Sequence, residues 1–225
     1  MLDRLKKREP VRDAENRAEY EALAEEASRG CKKALCKLCE KISKGVLFQL
    51  TYILGNQSNA EDVSQEVLIR VCMNIRSLRN PKAFKSWLAR IIVNEKNRYL
   101  AKQMKQGSVA MKNIDDYLES IMEEDEDVIP HGHIENEELN KIVMEVISDL
   151  PMRQREAVML RYYSDLSVTE VAESMNVTTQ TVSKSLALAH EKLKRGLGDR
   201  SIAEDYNSPA ALAYWRQPSQ HAIAE

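Results

Sequence analysis

Apolar side chains recur at helical spacing along most of this 225-residue chain. In residues 60–75, Val63, Val67, Val71 and Ile75 step by four, with Leu68 and Cys72 beside them. Glu61, Asp62, Gln65, Glu66 and Arg70 take the opposite side, which predicts an amphipathic helix facing a core. Beyond "RSLRNP", Phe84, Leu88, Ile91 and Ile92 form a second buried face, with Lys85, Arg90, Lys96 and Arg98 expected in solvent. Leu139, Ile142, Val143, Val146, Ile147 and Leu150 mark a third helix. Pro151 then suits the first turn of a fourth, where its missing N–H costs nothing, and "RQREAVMLRYY" continues it.

The pattern changes between residues 166 and 187, "LSVTEVAESMNVTTQTVSKSLA". Ser167 followed by Glu170 has the spacing of a capping box and starts a short helix with Val171, Ala172 and Met175 inside. Asn176 suits a sharp turn because asparagine tolerates left-handed backbone. Thr178 or Thr179 can cap the next helix, whose inner stripe is Val182, Leu186, Ala189, Leu193 and Leu197. Thr179, Gln180, Ser183, Lys184 and Ala187 are left outward. Two helices around a tight turn form a helix-turn-helix, which places the start of its second helix against base edges in the major groove. Outward glutamine and lysine suit adenine and guanine there.

Composition supports an all-α protein: 43% of residues are hydrophobic, with only 7 glycines and 6 prolines. No apolar run reaches the roughly 18 residues of a membrane span, and the charged N-terminus lacks the apolar core of a secretory signal. A cytoplasmic chain without membrane insertion is therefore expected. The net charge of -2 conceals blocks. From Arg79 to Lys105 eight bases face one acid, Glu95; from Gln106 to Glu138 eleven acids face one base, Lys112. The acidic stretch also holds Gly107, Pro130 and Gly132 and reads as a flexible linker with a short helical turn around "IDDYLESIM". The organisation expected is two small helical domains, 30–105 and 138–198, joined by an acidic linker over 106–137. A charged helical extension covers 1–29, and a flexible tail with Tyr214 and Trp215 covers 199–225. The C-terminal domain contains the helix-turn-helix.

Charge also poses a difficulty. Between 178 and 198 the bases are Lys184, Lys192, Lys194 and Arg195, opposed by Glu191. Each phosphate neutralised contributes to binding, so this is thin for a stand-alone monomer; a dimer or a large partner must supply the rest. As for other chemistry, "CKKALCKLC" has thiols at spacings that can hold zinc or an iron–sulfur cluster. No second pair completes a ligand set, because His131 and His133 lie far off in the acidic stretch. Cys36 and Cys39 are therefore expected as small core residues beside Leu35 and Leu38. There is no phosphate loop and no nucleophile elbow, so no catalytic residue, metal or cofactor is expected.

Two segments together carry a family likeness. "NAEDVSQEVLIRVCMNI" with "FKSWLARIIVNEKNRYL" resembles the second conserved region of bacterial RNA polymerase sigma factors. "ISDLPMRQREAVMLRYYSDLSVTEVAESMNVTTQTVSKSLALAHEKLKRGL" resembles their fourth, and the absence of a third domain between them resembles the extracytoplasmic-function (ECF) group. The resemblance implies a protein that binds core RNA polymerase and directs promoter recognition, DNA melting and transcription initiation. It puts Asp62, Gln65, Glu66 and Arg70 against polymerase. It puts Ser77, Asn80, Trp87, Arg90, Asn94 and Arg98 at the -10 element, and Thr178, Thr179, Gln180, Ser183 and Lys184 at the -35 element. Its partners would be core polymerase, promoter DNA and, for a member of this size, an anti-sigma factor. Arg98 and Ala101 stand where family members often carry aspartate and arginine, so no promoter sequence transfers. The rival reading is a dimeric helix-turn-helix regulator acting without polymerase, which has no use for the acidic-then-basic order of residues 60–105.

Overall fold

The computed structural model describes residues 10–106 and 137–198, and the described residues fold as helices without strands. In the N-terminal unit, α1 (Pro10–Ser28) is followed by α2 (Lys32–Leu54), α3 (Gln57–Asn74) and α4 (Phe84–Gln106). Two short 3₁₀ turns, Ile75–Ser77 and Pro81–Ala83, lead into α4. In the C-terminal unit, α5 (Glu137–Ser148), α6 (Met152–Val158), α7 (Val168–Met175) and α8 (Thr179–Gly198) follow. The acidic linker with "IDDYLESIM", His131 and His133, the tail with Tyr214 and Trp215, and the side chains of Leu139, Ile142 and Leu197 lie outside the described residues.

Local chemistry sets the boundaries. Gly55 ends α2 in the left-handed region at φ 68°, its N–H donating to the Thr51 carbonyl, a conformation that costs glycine little. Asn56 then caps α3 by accepting from the Asn59 N–H at 3.0 Å. Ala60, Val63, Val67 and Val71 of α3 are buried against the α2 stripe Ala34, Leu38, Ile42 and Val46. The same cluster takes in Ala24 and Ala27 of α1, and Tyr20 stacks on Phe84 at 6.4 Å. The segment read as a charged extension thus packs into the N-terminal core.

The capping box at α7 is complete. The Ser167 hydroxyl accepts from the Glu170 N–H at 3.2 Å, and the Ser167 N–H donates to the Glu170 carboxylate at 2.9 Å. Ser167→Ala should lower unfolding stability by about 1 kcal/mol, seen as a lower urea midpoint. A midpoint equal to wild type would mean that α7 is held by packing alone.

Most unlike the sequence expectation is the seam between the units. Ala89 and Val93 of α4 join Phe48, Tyr52 and Ile53 of α2 in one apolar cluster with Val143, Ala157, Leu160, Leu166 and Val171 of the C-terminal unit. The end of α6 widens into a π-turn, Met159–Tyr163, which puts Tyr163 on Phe48 at a ring separation of 5.1 Å. A Cβ on Gly45 would stand 3.0 Å from the Tyr163 hydroxyl, so glycine permits this approach. Gln49, buried on α2, donates to the Ser164 hydroxyl at 3.0 Å.

Lys96 is the principal correction. Expected in solvent, its side chain is 4% exposed, as is that of Glu156, with which it forms a buried ion pair across the seam. The reason is register: Lys96 continues the stripe of Ala89 and Val93 at steps of four and three, and that stripe faces the C-terminal unit, where Glu156 of α6 meets it. Lys85 and Arg90 reach acids of the C-terminal unit as well, Asp165 at 3.6 Å and Glu173 at 3.3 Å. Bases from α4 thus meet acids from α6, the following loop and α7. Leu88 and Ile91, expected in the core, are half-buried.

Candidate nucleic-acid and polymerase interfaces

The helix-turn-helix is assembled as its residues dictate. Asn176 takes the left-handed region at φ 53°, ψ 49°. Of the two candidate caps it is Thr178 that acts, its hydroxyl accepting from the Thr181 N–H at 3.2 Å. Val182, Leu186, Ala189 and Leu193 are buried, and this fixes the rotation of α8. The opposite side presents Thr178, Thr179, Gln180, Ser183 and Lys184 together, all exposed over the cap and first two turns. Tyr162 at the end of α6 meets His190 of α8, hydroxyl to Nε2, at 2.7 Å. Burial lowers the His190 pKa below its ordinary value, which favours the neutral ring.

In the N-terminal unit, Ser77 and Asn80 lie in the loop before α4. The Ser77 hydroxyl donates to the Asn74 carbonyl at 2.8 Å, and the Asn80 side chain accepts from the Lys82 N–H at 3.1 Å. Trp87 is half-buried beside Phe84, ring centroids 6.0 Å apart, so the indole packs on the core and remains partly exposed. Arg90, Asn94 and Arg98 are exposed along α4. A cleft of about 390 Å³ between α3 and α4 is lined by Arg70, Asn74, Ile91, Asn94, Glu95 and Arg98. Buried Glu95 anchors it, pairing with Arg70 at 3.0 Å and Arg98 at 3.1 Å.

Asp62, Gln65 and Glu66 share the exposed face of α3, whereas Arg70 turns toward the cleft and Glu95. The structure therefore separates Arg70 from the three residues it was grouped with. Two residues that the sequence reading passed over complete that face: Ile69, 49% exposed, and Met73, 67% exposed. They stand one turn apart among the polar groups, and their signal was apolar character at i and i+4 on the side opposite the valine stripe.

The cysteines differ from expectation. Cys36 is exposed and Cys39 only half-buried, because the core stripe of α2 runs through Ala34, Leu38 and Ile42 and leaves Cys36 on the far side. Among the described residues no group of three or more His, Cys, Asp or Glu side chains is placed to hold a metal ion. Nor, among them, is any helix long and apolar enough to cross a membrane.

A helix bearing bases beside a cleft in one unit and a helix-turn-helix in the other define a helical protein with the build of a DNA binder. Comparison with known proteins makes this specific. The family model of Sigma-70 region 2 matches residues 40–106, and that of Sigma-70, region 4 matches residues 140–193. The chain is 30% identical over 177 residues to the ECF RNA polymerase sigma-E factor of Haemophilus influenzae, covering 77% of this chain and 93% of that one. It is 29% identical over 170 residues to the ECF RNA polymerase sigma factor SigW of Bacillus subtilis, covering 70% and 86%. Two solved structures share the fold at a TM-score of 0.54: CnrH in complex with the cytosolic domain of CnrY, 17% identical, and RpoE in complex with the anti-sigma factor NepR from Bartonella quintana, 18% identical. They cover 80% and 74% of this chain and 98% of each of those chains. The chain belongs to the ECF sigma factors of RNA polymerase, which direct transcription initiation at promoters. That removes the rival reading of a regulator acting without polymerase.

Proposed function

We propose that the N-terminal unit carries both the polymerase contact and the -10 contact, and that α8 reads the -35 element. The observation that carries this is the joint presentation of Thr178, Thr179, Gln180, Ser183 and Lys184 on one face, with α8 held in rotation by its buried stripe. The polymerase face is Asp62, Gln65 and Glu66 with Ile69 and Met73 at its centre, because apolar groups that lose all their water carry most of an interface's affinity. Arg70 contributes by holding Glu95. At the -10 element, Arg90, Asn94 and Arg98 line the path of the separated strand, beside the Ser77–Asn80 loop and the partly exposed Trp87. The cleft at Asn94 and Arg98 suits an unstacked base, which needs a pocket with hydrogen-bonding walls.

Thin charge on α8 is then no obstacle, since polymerase and α4 supply further phosphate contacts. The protein works in the cytoplasm and catalyses nothing itself. RpoE is bound to an anti-sigma factor in its solved complex, and a partner of that class is proposed to restrain this chain too. The test is run-off transcription and gel filtration with bacterial core polymerase. Gln180→Ala and Lys184→Ala should each weaken promoter binding of the holoenzyme by about 1–3 kcal/mol, roughly 5- to 150-fold, without changing comigration with core. Promoter binding left at wild-type strength by both variants would remove α8 from the reading role.

A further inference from the structure

Cys39 of α2 and Cys72 of α3 are the sulfurs that the fold brings together: their Sγ atoms stand 3.5 Å apart, 33 residues distant in sequence. Both are free thiols, Cys72 exposed and Cys39 half-buried. The gap to the roughly 2.05 Å of a disulfide is about 1.5 Å, with one sulfur on each helix. We propose that Cys39 and Cys72 form a reversible dithiol, in which Cys72 is the site of attack by a hydroperoxide and Cys39 resolves the product.

The assignment of roles follows from exposure and chemistry. The thiolate is the nucleophile toward peroxide, and Cys72 is the more open of the pair to solvent. Burial, together with the neighbouring Cys72 sulfur, pushes the Cys39 thiol up to about 12, which keeps it protonated while Cys72 is reduced. In the first step the Cys72 thiolate attacks one peroxide oxygen and the O–O bond breaks. This leaves Cys72 as a sulfenic acid and releases water, or an alcohol from an organic peroxide. Cys72 is then a neutral acid, so its own contribution to the Cys39 shift is lost while that of burial remains. The Cys39 sulfur, losing its proton, attacks the Cys72 sulfur, the S–O bond breaks, and a second water leaves. Two thiols and one hydrogen peroxide thus become a disulfide and two waters. A cytoplasmic thiol couple returns the pair to its reduced form.

Location gives the pair its use. Cys72 precedes Met73 directly and follows Ile69 by three residues, so it sits on the rim of the exposed α3 face. A second hydroperoxide takes an unresolved sulfenic acid there to the charged sulfinic acid, releasing water or an alcohol, and ordinary thiols do not reverse that step. A disulfide to Cys39 adds no charge, so the Ile69–Met73 face is spared the sulfinate. The consequence for polymerase rests on the reading of that face proposed above; the cross-link itself does not.

The experiment treats the full-length protein with hydrogen peroxide, blocks residual thiols and maps the products by peptide mass spectrometry. Wild type should lose about 2 Da in a Cys39–Cys72 linked peptide, recover with dithiothreitol, and comigrate with core polymerase after oxidation. Cys36→Ser should behave alike. Cys39→Ser should instead gain about 32 Da at Cys72 and lose core binding in step with that gain. A Cys36–Cys39 link, or a sulfinic acid at Cys72 in wild type, overturns the proposal. Correct cross-linking in a protein that never binds core would leave the dithiol standing and sink the polymerase reading.

Discussion

Replacing Lys96 by alanine should part the two units. The substitution leaves Glu156 as a buried carboxylate without its counter-ion, at a position only 4% exposed. Breaking a buried pair by removing one partner costs about 3–5 kcal/mol, because the remaining charge has lost its water without recompense. A charge inside a single core could relieve that cost only by unfolding or by taking up a proton. Glu156 has a third way out, since it lies on a seam and separation of the units rehydrates it. Small-angle X-ray scattering of Lys96→Ala should therefore show a larger radius of gyration than wild type, with helical content retained by circular dichroism. Lys96→Met combined with Glu156→Leu fills the same space without charge and should restore the compact profile, since apolar replacement of a buried pair is often neutral or stabilising. A Lys96→Ala protein as compact and as heat-resistant as wild type would show that the seam does not depend on this pair.

Ile69→Glu together with Met73→Glu should abolish tight binding to core polymerase. Ile69 is about half exposed and Met73 two-thirds, 49% and 67%, and neither belongs to the buried core, so the folded protein loses little when they change. A central apolar anchor in an interface is worth 2 kcal/mol or more, at least about 30-fold in Kd. Two carboxylates at an interface core add a desolvation cost to that loss. By contrast, Asp62→Ala or Glu66→Ala removes a peripheral charge and should act mainly on the association rate and its salt dependence. Titration of fluorescently labelled protein with core polymerase measures both. Unchanged affinity in the double glutamate variant would move the contact off this face of α3.

Much of this was legible in the sequence, for reasons that are local. Ser167 and Glu170, Asn176, and the outward set from Thr179 to Lys184 are fixed by hydrogen bonds and periodicity within a single turn or helix. The valine stripe of α3 was readable on the same grounds. What escaped depends on neighbours far along the chain. Lys96 reads as a solvated base unless one knows that Glu156 stands across from it, although its register with Ala89 and Val93 hinted at burial. Cys36 seemed a core residue because Leu35 and Leu38 adjoin it, but the four-residue steps from Ala34 to Ile42 pass on the other side of the helix. Ile69 and Met73 were overlooked because the charges around them defined that side as polar.

The seam also limits which DNA the molecule can span. Positions -10 and -35 are, by their names, about 25 base pairs apart, and at about 3.4 Å of rise each that is about 85 Å along the duplex. Two units touching through Lys96 and Glu156 cannot straddle such a length. The thirty residues 107–136, drawn out fully, reach at most about 100 Å, which suffices once the seam has parted. With α4 and α8 reading the two elements as proposed above, the closed chain samples one element at a time: Arg90 is held by Glu173 while the outer face of α8 stays open. Only an opened molecule can measure the interval between the two elements. On that reading, whatever binds the parted units better than the joined ones sets when that measurement is made.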